Sequence, residues 1–423
     1  MSSRVGTPAT SPATRVGAEV EVDVGAVGHG GFCVARHEGL VVFVRHALPG
    51  ERVRARITEL SKRFARADAV EVLTASPHRV VAPCPVARPD GCGGCDWQHA
   101  DVPYQRELKA TVVAEQLRRL AGLERDVVVE PLPGESPVAG FGWRTRVRFA
   151  VDDEGRAGFR KARSHEVVAV DHCPIAHPLV EAVGVEAKEW NRAREVEVAA
   201  SASSAQSLLL VTGRRDGVTR VHGGDFLTEE AVGRRWRVSA GAFWQVHPAA
   251  AQALGAAVRD GLAPRPGERA VDLYAGVGLF AGVLAQAVGA SGEVVAVESS
   301  TVAAADARHN LADLPNVTVV CSGVAEALAR DAVETLGRDG GEVATDIVVL
   351  DPPRVGAGPD VVRRIVALRP RAIAYVACDP AALARDLATF ADAGYRLATL
   401  RAFDLFPQTH HVECVAILDR ETG

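Results

Sequence analysis

VDLYAGVGLFAGVLAQAVGASGEVVAVE, residues 271–298, decides the fold. An apolar run ends at Asp272, Gly276 and Gly278 fall in a turn, and an apolar helical stretch follows. A second apolar run then ends at Glu298, about twenty residues past Gly278. Glycines in such a turn let the backbone approach a ligand, and the acid accepts hydrogen bonds from ribose hydroxyls. A lone Gly-x-Gly says little. Joined to a strand, a helix and an acid at this spacing, it reads as a nucleoside site.

The same rhythm recurs downstream in IVVLDPP (347–353) and AIAYVACDP (372–380). Apolar strands alternating with helices predict a parallel sheet covered on both faces, with ligands at the C-terminal strand ends. Those ends carry Asp272, Glu298, Asp351 and Cys378. After Cys378, Asp379 reads as an N-cap and Pro380 as the first helical residue. Leu383, Leu387 and Phe390 then share one helix face. A helix N-terminus favours thiolate, while the Asp379 charge opposes it. A lone cysteine is usually an inert core residue. Its place level with Asp351 points instead to catalysis. Cys414 is expected to point into the core.

The chain has 423 residues, of which 48% are hydrophobic, enough for two or three domains. No run is long and apolar enough for a membrane span. Residues 1–16 are rich in Ser, Thr, Pro and Ala without an apolar centre. They are expected to form a disordered tail on a cytoplasmic protein. The net charge of −5 does not announce nucleic acid. Lys and Arg nonetheless outnumber Asp and Glu over residues 51–80 and 141–163, where local patches could hold phosphates.

Residues 17–75 alternate in strand fashion between glycine turns and predict a small β-barrel. Residues 76–239 are a mixed α+β region, with a helix over 104–120 and strands at 143–151, 166–170 and 207–213. Residues 240–423 form the strand–turn–helix domain.

Eight cysteines in a chain without secretory features point to metal binding or catalysis more than to disulfides. Cys84, Cys92 and Cys95 form C-x7-C-x2-C among glycines, and Cys173 follows far downstream. Four thiolates suit an iron–sulfur cluster, and structural zinc is the rival. Zinc ribbons present two paired knuckles, whereas only Cys92 and Cys95 form one, so the spacing favours [4Fe-4S].

The whole chain resembles the RNA uracil-C5 methyltransferase family. The pieces are FWQVHP (243–248), DLYAGVG (272–278), VVLDPPR (348–354), YVACDPAALARDL (375–387), FDLFPQTHHVECVAIL (403–418), the four cysteines and GGFCVARHEGLVVFVRHALPGERVRARI (30–57). The last of these resembles a TRAM domain, an OB-like barrel attached to RNA-modifying enzymes. The resemblance implies an α/β architecture: a C-terminal Rossmann-like class I methyltransferase domain, an N-terminal TRAM barrel and a mixed central domain. It implies S-adenosylmethionine and an RNA substrate, with Lys62, Arg63 and Arg66 facing phosphates. Neither a membrane nor an obligate protein partner is expected.

By the same resemblance Cys378 is the nucleophile and Glu413 the base, while Gln245, Tyr274, Leu279, Glu298 and Asp351 contact S-adenosylmethionine. Carbon 5 of uracil is a poor nucleophile, and a thiolate adding to carbon 6 makes it a good one. A base must afterwards remove the carbon 5 proton. Leu279, Val324 and the Cys-Asp-Pro triplet depart from the residues many relatives carry. The base must leave its stack, which costs least in loops and favours a structured RNA loop. The barrel and cysteines together resemble the 23S ribosomal RNA branch more than the transfer RNA branch. RNA cytosine-C5 methylation is disfavoured, because its cysteine commonly follows a proline and none of Cys33, Cys321, Cys378 and Cys414 does. An iron–sulfur RNA-binding protein without catalysis is disfavoured by the intact Cys378 and Glu413.

Overall fold

Alternation in EVEVD and RVRARITEL buries one face of each strand, and five such strands make the first sheet. The computed structural model describes residues 15–133, 140–214, 217–329 and 345–421. The expected tail therefore lies almost wholly outside the described residues. The chain divides into two compact units. One comprises residues 1–108, 160–168 and 408–410; the other comprises 109–159, 169–407 and 411–423.

In the first unit, strands β1 (Glu19–Asp23), β2 (Cys33–His37), β3 (Leu40–Arg45), β4 (Arg52–Leu60) and β5 (Phe64–Thr74) pair in the order β1–β4–β5–β3–β2. Val42, Val44, Val53, Ile57 and Ala65 form its buried face. Helix α1 (Val102–Gln116) follows and ends in one wide turn over Leu117–Ala121, stopped by Gly122 at φ 65°. The helix expected over 104–120 is thus present, with an irregular last turn.

Two larger sheets lie mainly in the second unit. Strands β7 (Arg146–Val151), β8 (Ala157–Arg160), β9 (Val167–Ala169), β10 (Ala193–Ser201), β11 (Gln206–Gly213) and β12 (Val218–His222) form one, in the order β12–β11–β10–β7–β8–β9. Its buried side includes Val147, Phe149, Val196, Val198 and Leu209. The short helix α2 (Pro178–Glu181) lies between β9 and β10 in sequence, and a hairpin of β13 (Phe226–Ala231) and β14 (Arg234–Ser239) follows the sheet.

The other sheet has eight strands: β6 (Val129–Glu130), β15 (Arg269–Leu273), β16 (Glu293–Glu298), β17 (Val317–Cys321), β18 (Ile347–Leu350), β19 (Ala372–Ala377), β20 (Tyr395–Phe403) and β21 (Glu413–Arg420). Their order is β17–β16–β15–β18–β19–β21–β20–β6. The pairs from β17 to β19 are parallel, as the apolar runs predict. The sheet as a whole is mixed, because β21 runs antiparallel to both β19 and β20. Alternate residues feed two cores. Ala270, Val294, Val349 and Val376 pack with helices α3 (Ala250–Leu262) and α4 (Leu279–Val288). Val271, Val295, Leu350 and Ile373 pack with α7 (Pro359–Ala367) and α8 (Pro380–Asp392). Helices α5 (Thr301–Asn310) and α6 (Val324–Ala327) follow β16 and β17. Near the β6 edge, buried Lys109 donates through Nζ to Asp404 Oδ1 (2.5 Å) and to the Phe406 carbonyl (3.0 Å). Among the described residues no helix is long and apolar enough to cross a membrane.

Candidate active site

The C-terminal ends of β15, β16, β18 and β19 bring four of the expected residues to one edge of the sheet. The turn after β15 is tightly built. Tyr274 takes φ 64°, rare for a side-chain-bearing residue, and Gly276 (φ 54°) and Gly278 (φ 95°) continue the reversal. Gly278 precedes Leu279, the first residue of α4. A methyl group on Gly278 would lie 2.8 Å from Leu311 Cδ1, so glycine is required by both conformation and space. Glu298 closes the turn, accepting from Gly276 N (2.8 Å) and, through its other oxygen, from Ser300 N (2.6 Å).

These residues fit S-adenosylmethionine on two observations. Gly276 faces open space, with nothing within 4 Å of where a side chain would begin. Fully buried Asp272 accepts from Ala281 N through Oδ2 (2.7 Å), while among the described residues its Oδ1 has no hydrogen-bond partner. Such an oxygen suits a cationic or hydroxylic ligand group. Burial first, then the charges of Asp351 and Glu298, push the Asp272 carboxyl well above its ordinary range.

Asp351 follows β18 and donates its backbone N–H to the Leu273 carbonyl (3.3 Å), which ties the second strand end to the first. Burial pushes its carboxyl up to about 7. Cys378 follows β19. The N-cap reading of Asp379 holds in the structure: its side chain accepts from Ala382 N (2.8 Å), with Pro380 opening α8.

Glu413 arrives on β21. Ala377 pairs with Cys414, and continuing that antiparallel register by one residue sets Cys378 opposite Glu413. Glu413 is only 4% exposed, and Cys414 is fully buried. Burial and the neighbouring Asp351 push the Glu413 carboxyl well above its ordinary range, with Arg354 opposing. Burial, then Glu413 and Asp351, push the Cys378 thiol up to about 12, again against Arg354. The helix N-terminus therefore does not make this a standing thiolate. Desolvation and two facing carboxyls outweigh it.

Gln245 sits on a different support. Its carbonyl accepts from Arg146 Nη1 (3.3 Å), and Thr145 donates through N (2.8 Å) and Oγ1 (2.9 Å) to the Val246 carbonyl. His247 stacks on Trp143 at 6.1 Å. Val324 begins α6, just beyond β17.

The sequence reading passed over two residues here. Arg354 donates to His411 Nε2 (3.2 Å), placing a cation next to the strand that carries Glu413. Asp386 is a buried acid on the inner face of α8, bonded to Tyr375. Both had a signal: a cation right after the double proline, and an acid at helical spacing among Leu383, Leu387 and Phe390.

The four cysteines expected to hold [4Fe-4S] carry soft donors that suit such a centre. Among the described residues no three or more His, Cys, Asp or Glu side chains are grouped to hold a metal ion. Cys92 is pinned by its N–H to the Val86 carbonyl (2.8 Å), Gly93 donates to the Arg160 carbonyl (3.0 Å), and Gly94 N donates to Cys92 Sγ (3.3 Å). Cys84 is buried, its N–H held by Gln98 Oε1 (3.1 Å). Cys84, Cys92 and Cys95 belong to the first unit, and Cys173 to the second.

Comparison with known proteins adds to this geometry. The model of the tRNA (uracil-5-)-methyltransferase family matches residues 188–421, and that of the TRAM domain matches residues 13–70. An uncharacterized RNA methyltransferase of Streptomyces avermitilis is 50% identical, over 96% of this chain and 99% of its own. One from Corynebacterium efficiens is 37% identical, over 98% of this chain and 97% of its own. Among solved structures, the Pyrococcus abyssi tRNA (uracil-54, C5)-methyltransferase in complex with S-adenosyl-L-homocysteine shares the fold. It has a TM-score of 0.70 at 24% identity, covering 94% of this chain and 99% of that one.

Proposed function

The chain belongs to the tRNA (uracil-5-)-methyltransferase family of S-adenosylmethionine-dependent RNA methyltransferases, and from that premise we propose that it methylates carbon 5 of one uridine in 23S ribosomal RNA through a covalent bond from Cys378. The observation that carries this reading is the register that, continued by one residue, sets Cys378 opposite Glu413.

The chemistry assigned to each side chain follows from its surroundings. The Cys378 thiol must lose its proton before attack, because burial holds it neutral. The raised carboxyl of Asp351 is within electrostatic reach and could accept it as carboxylate, which leaves Glu413 unprotonated for the later step. The thiolate then forms a bond to carbon 6 of uracil, and the displaced electron pair builds up at carbon 5. S-adenosylmethionine, when bound, supplies the methyl group that this carbon takes. Glu413 removes the carbon 5 proton, the double bond between carbons 5 and 6 re-forms, and the sulfur leaves as thiolate. Glu298, Asp272 and the Gly276 backbone would hold the nucleoside and its cationic end, with Tyr274, Leu279 and Gln245 as further contacts.

The test is incubation with 5-fluorouridine RNA and S-adenosylmethionine, where a fluorine in place of the abstracted proton freezes the adduct. A covalent complex mapped to Cys378 supports the reading, and its absence overturns it. Transfer RNA is the second reading, favoured by the description of the matching family model. Mass mapping of 5-methyluridine in both RNAs from a deletion strain separates the two.

The division into a tail (1–16), a TRAM barrel (17–75), a central domain (76–239) and a methyltransferase domain (240–423) is part of the same proposal. So is a [4Fe-4S] centre on Cys84, Cys92, Cys95 and Cys173, which rests on spacing alone and to which no step is given. Iron and acid-labile sulfide in anaerobically purified protein would support it, and a protein free of both would dismiss it.

A further inference from the structure

The turn after Asp351-Pro352-Pro353 is closed by Gly356 N donating to the Pro353 carbonyl (2.8 Å), and it carries Arg354 next to the proposed reacting residues. A buried side chain anchors it as well. Asp386, 4% exposed on α8, receives three donors. Ala357 N donates to Oδ2 at 2.8 Å, Gly358 N to Oδ1 at 3.2 Å, and the Tyr375 hydroxyl to Oδ2 at 2.6 Å. Ala357 N also reaches the Tyr375 oxygen at 3.1 Å. Gly358 is the N-cap of α7, so the carboxylate also lies at the positive end of that helix. Space is as tight as the bonding: a methyl group on Gly356 would lie 2.7 Å from Asp386 Oδ2 and 3.2 Å from Ala382 Cβ. From the other end of the turn, Arg354 reaches His411, two residues before Glu413.

We infer that Asp386 is a positioning residue for the methyl transfer: by clamping residues 356–358 it holds Arg354 as the cation that faces Cys378 and Glu413. The inference rests on the proposal that those two residues are the reacting pair. The charged and titratable groups around the thiol among the described residues are Glu413 and Cys414 from β21, Asp351 and Arg354 from the turn, and Asp379 beside it. Of these, Arg354 alone favours the thiolate. Tyr375, at the base of the clamp, is held neutral by burial and by the Asp386 charge.

The sign of one measurement separates placement from bulk electrostatics. Asp386→Ala removes a negative charge, which by itself would speed alkylation of Cys378. Loss of Arg354 placement would slow it. The rate of iodoacetamide attack on Cys378 is followed in the full-length chain at fixed pH below the thiol pKa, by mass spectrometry of the peptide bearing it. No RNA is present, so the readout does not depend on turnover. Asp386→Ala and Arg354→Ala are each expected to slow alkylation about 3- to 10-fold, up to about one pKa unit. Combining them should be no slower than Arg354→Ala alone. Gly356→Ala changes no charge and should slow alkylation in the same direction; it carries the test if Asp386→Ala does not fold. Asp386→Asn keeps one acceptor oxygen and should restore part of the rate. Unchanged or faster alkylation in folded Asp386→Ala and Gly356→Ala, or additive effects with Arg354→Ala, would overturn the inference. Failure of the reacting-pair proposal shows separately, as methylation surviving in Cys378→Ala.

Discussion

Glu413→Gln is the substitution that isolates one step of the reaction. The replacement keeps size and shape and removes only the ability to take a proton. Glu413 is 4% exposed and lies inside the sheet, so its position is set by β21 pairing on both sides and not by its charge. Burial and Asp351 raise its carboxyl, so folding penalises its ionisation. A group raised in the folded state lends its full stability below the unfolded carboxylate range and loses it as pH rises toward the folded value. The glutamine variant has no such loss, and at pH 8 it should be at least as stable as wild type by urea unfolding. The defect should appear in chemistry alone. A positioned general base contributes about 10²–10⁴-fold, or about 2.7–5.5 kcal/mol of barrier. In the proposed mechanism, attack by Cys378 and methyl transfer precede that step. The variant should therefore accumulate methylated RNA bound to protein, visible as a band that survives denaturing electrophoresis, and release it slower by that factor. Release by wild type should slow as pH falls through the raised Glu413 pKa, because the base is then protonated. Release by the variant should be flat over the same range. A variant that turns over within a fewfold of wild type, or that keeps the pH dependence, would refute Glu413 as the base.

Cys378→Ala should abolish methylation while leaving S-adenosylmethionine affinity unchanged by calorimetry, since the nucleoside cradle lies on other strand ends. Gly278→Ala forces a side chain into φ 95° and against Leu311, costing about 1–2 kcal/mol for conformation and about 1–3 kcal/mol for overpacking; urea denaturation should show the sum and S-adenosylmethionine titration a weakened site. Lys109→Met leaves the fully buried Asp404 carboxylate without its cation and should cost about 3–5 kcal/mol, read as a lower urea midpoint at pH 7.5.

The strand ends were legible because buried parallel strands are unbroken apolar runs, and the residue that breaks each run is the one that meets the ligand edge. Asp272, Glu298, Asp351 and Cys378 all stand out this way. The apolar run at 413–418 is equally plain, but local pattern carries no information on strand direction. That β21 enters between β19 and β20, against both, follows from long-range pairing. The two-residue strand Val129–Glu130 is too short for any period to register. The thiol's environment was hidden for a related reason. The helix N-terminus behind Cys378 is local and readable, whereas the carboxyls that outweigh it come from residues 351 and 413.

Because β21 is bonded on both edges and its first six residues are buried, the carboxylate at its start has almost no freedom to search. The adaptation needed to bring three reacting partners together then falls on the substrate. Turnover at low concentration scales with the fraction of RNA molecules already displaying the target nucleotide in an accessible conformer, since affinity is reduced by that fraction. Two RNAs with identical sequence around the target but different loop tension should differ in kcat/KM by the ratio of those populations, with no change in any protein contact.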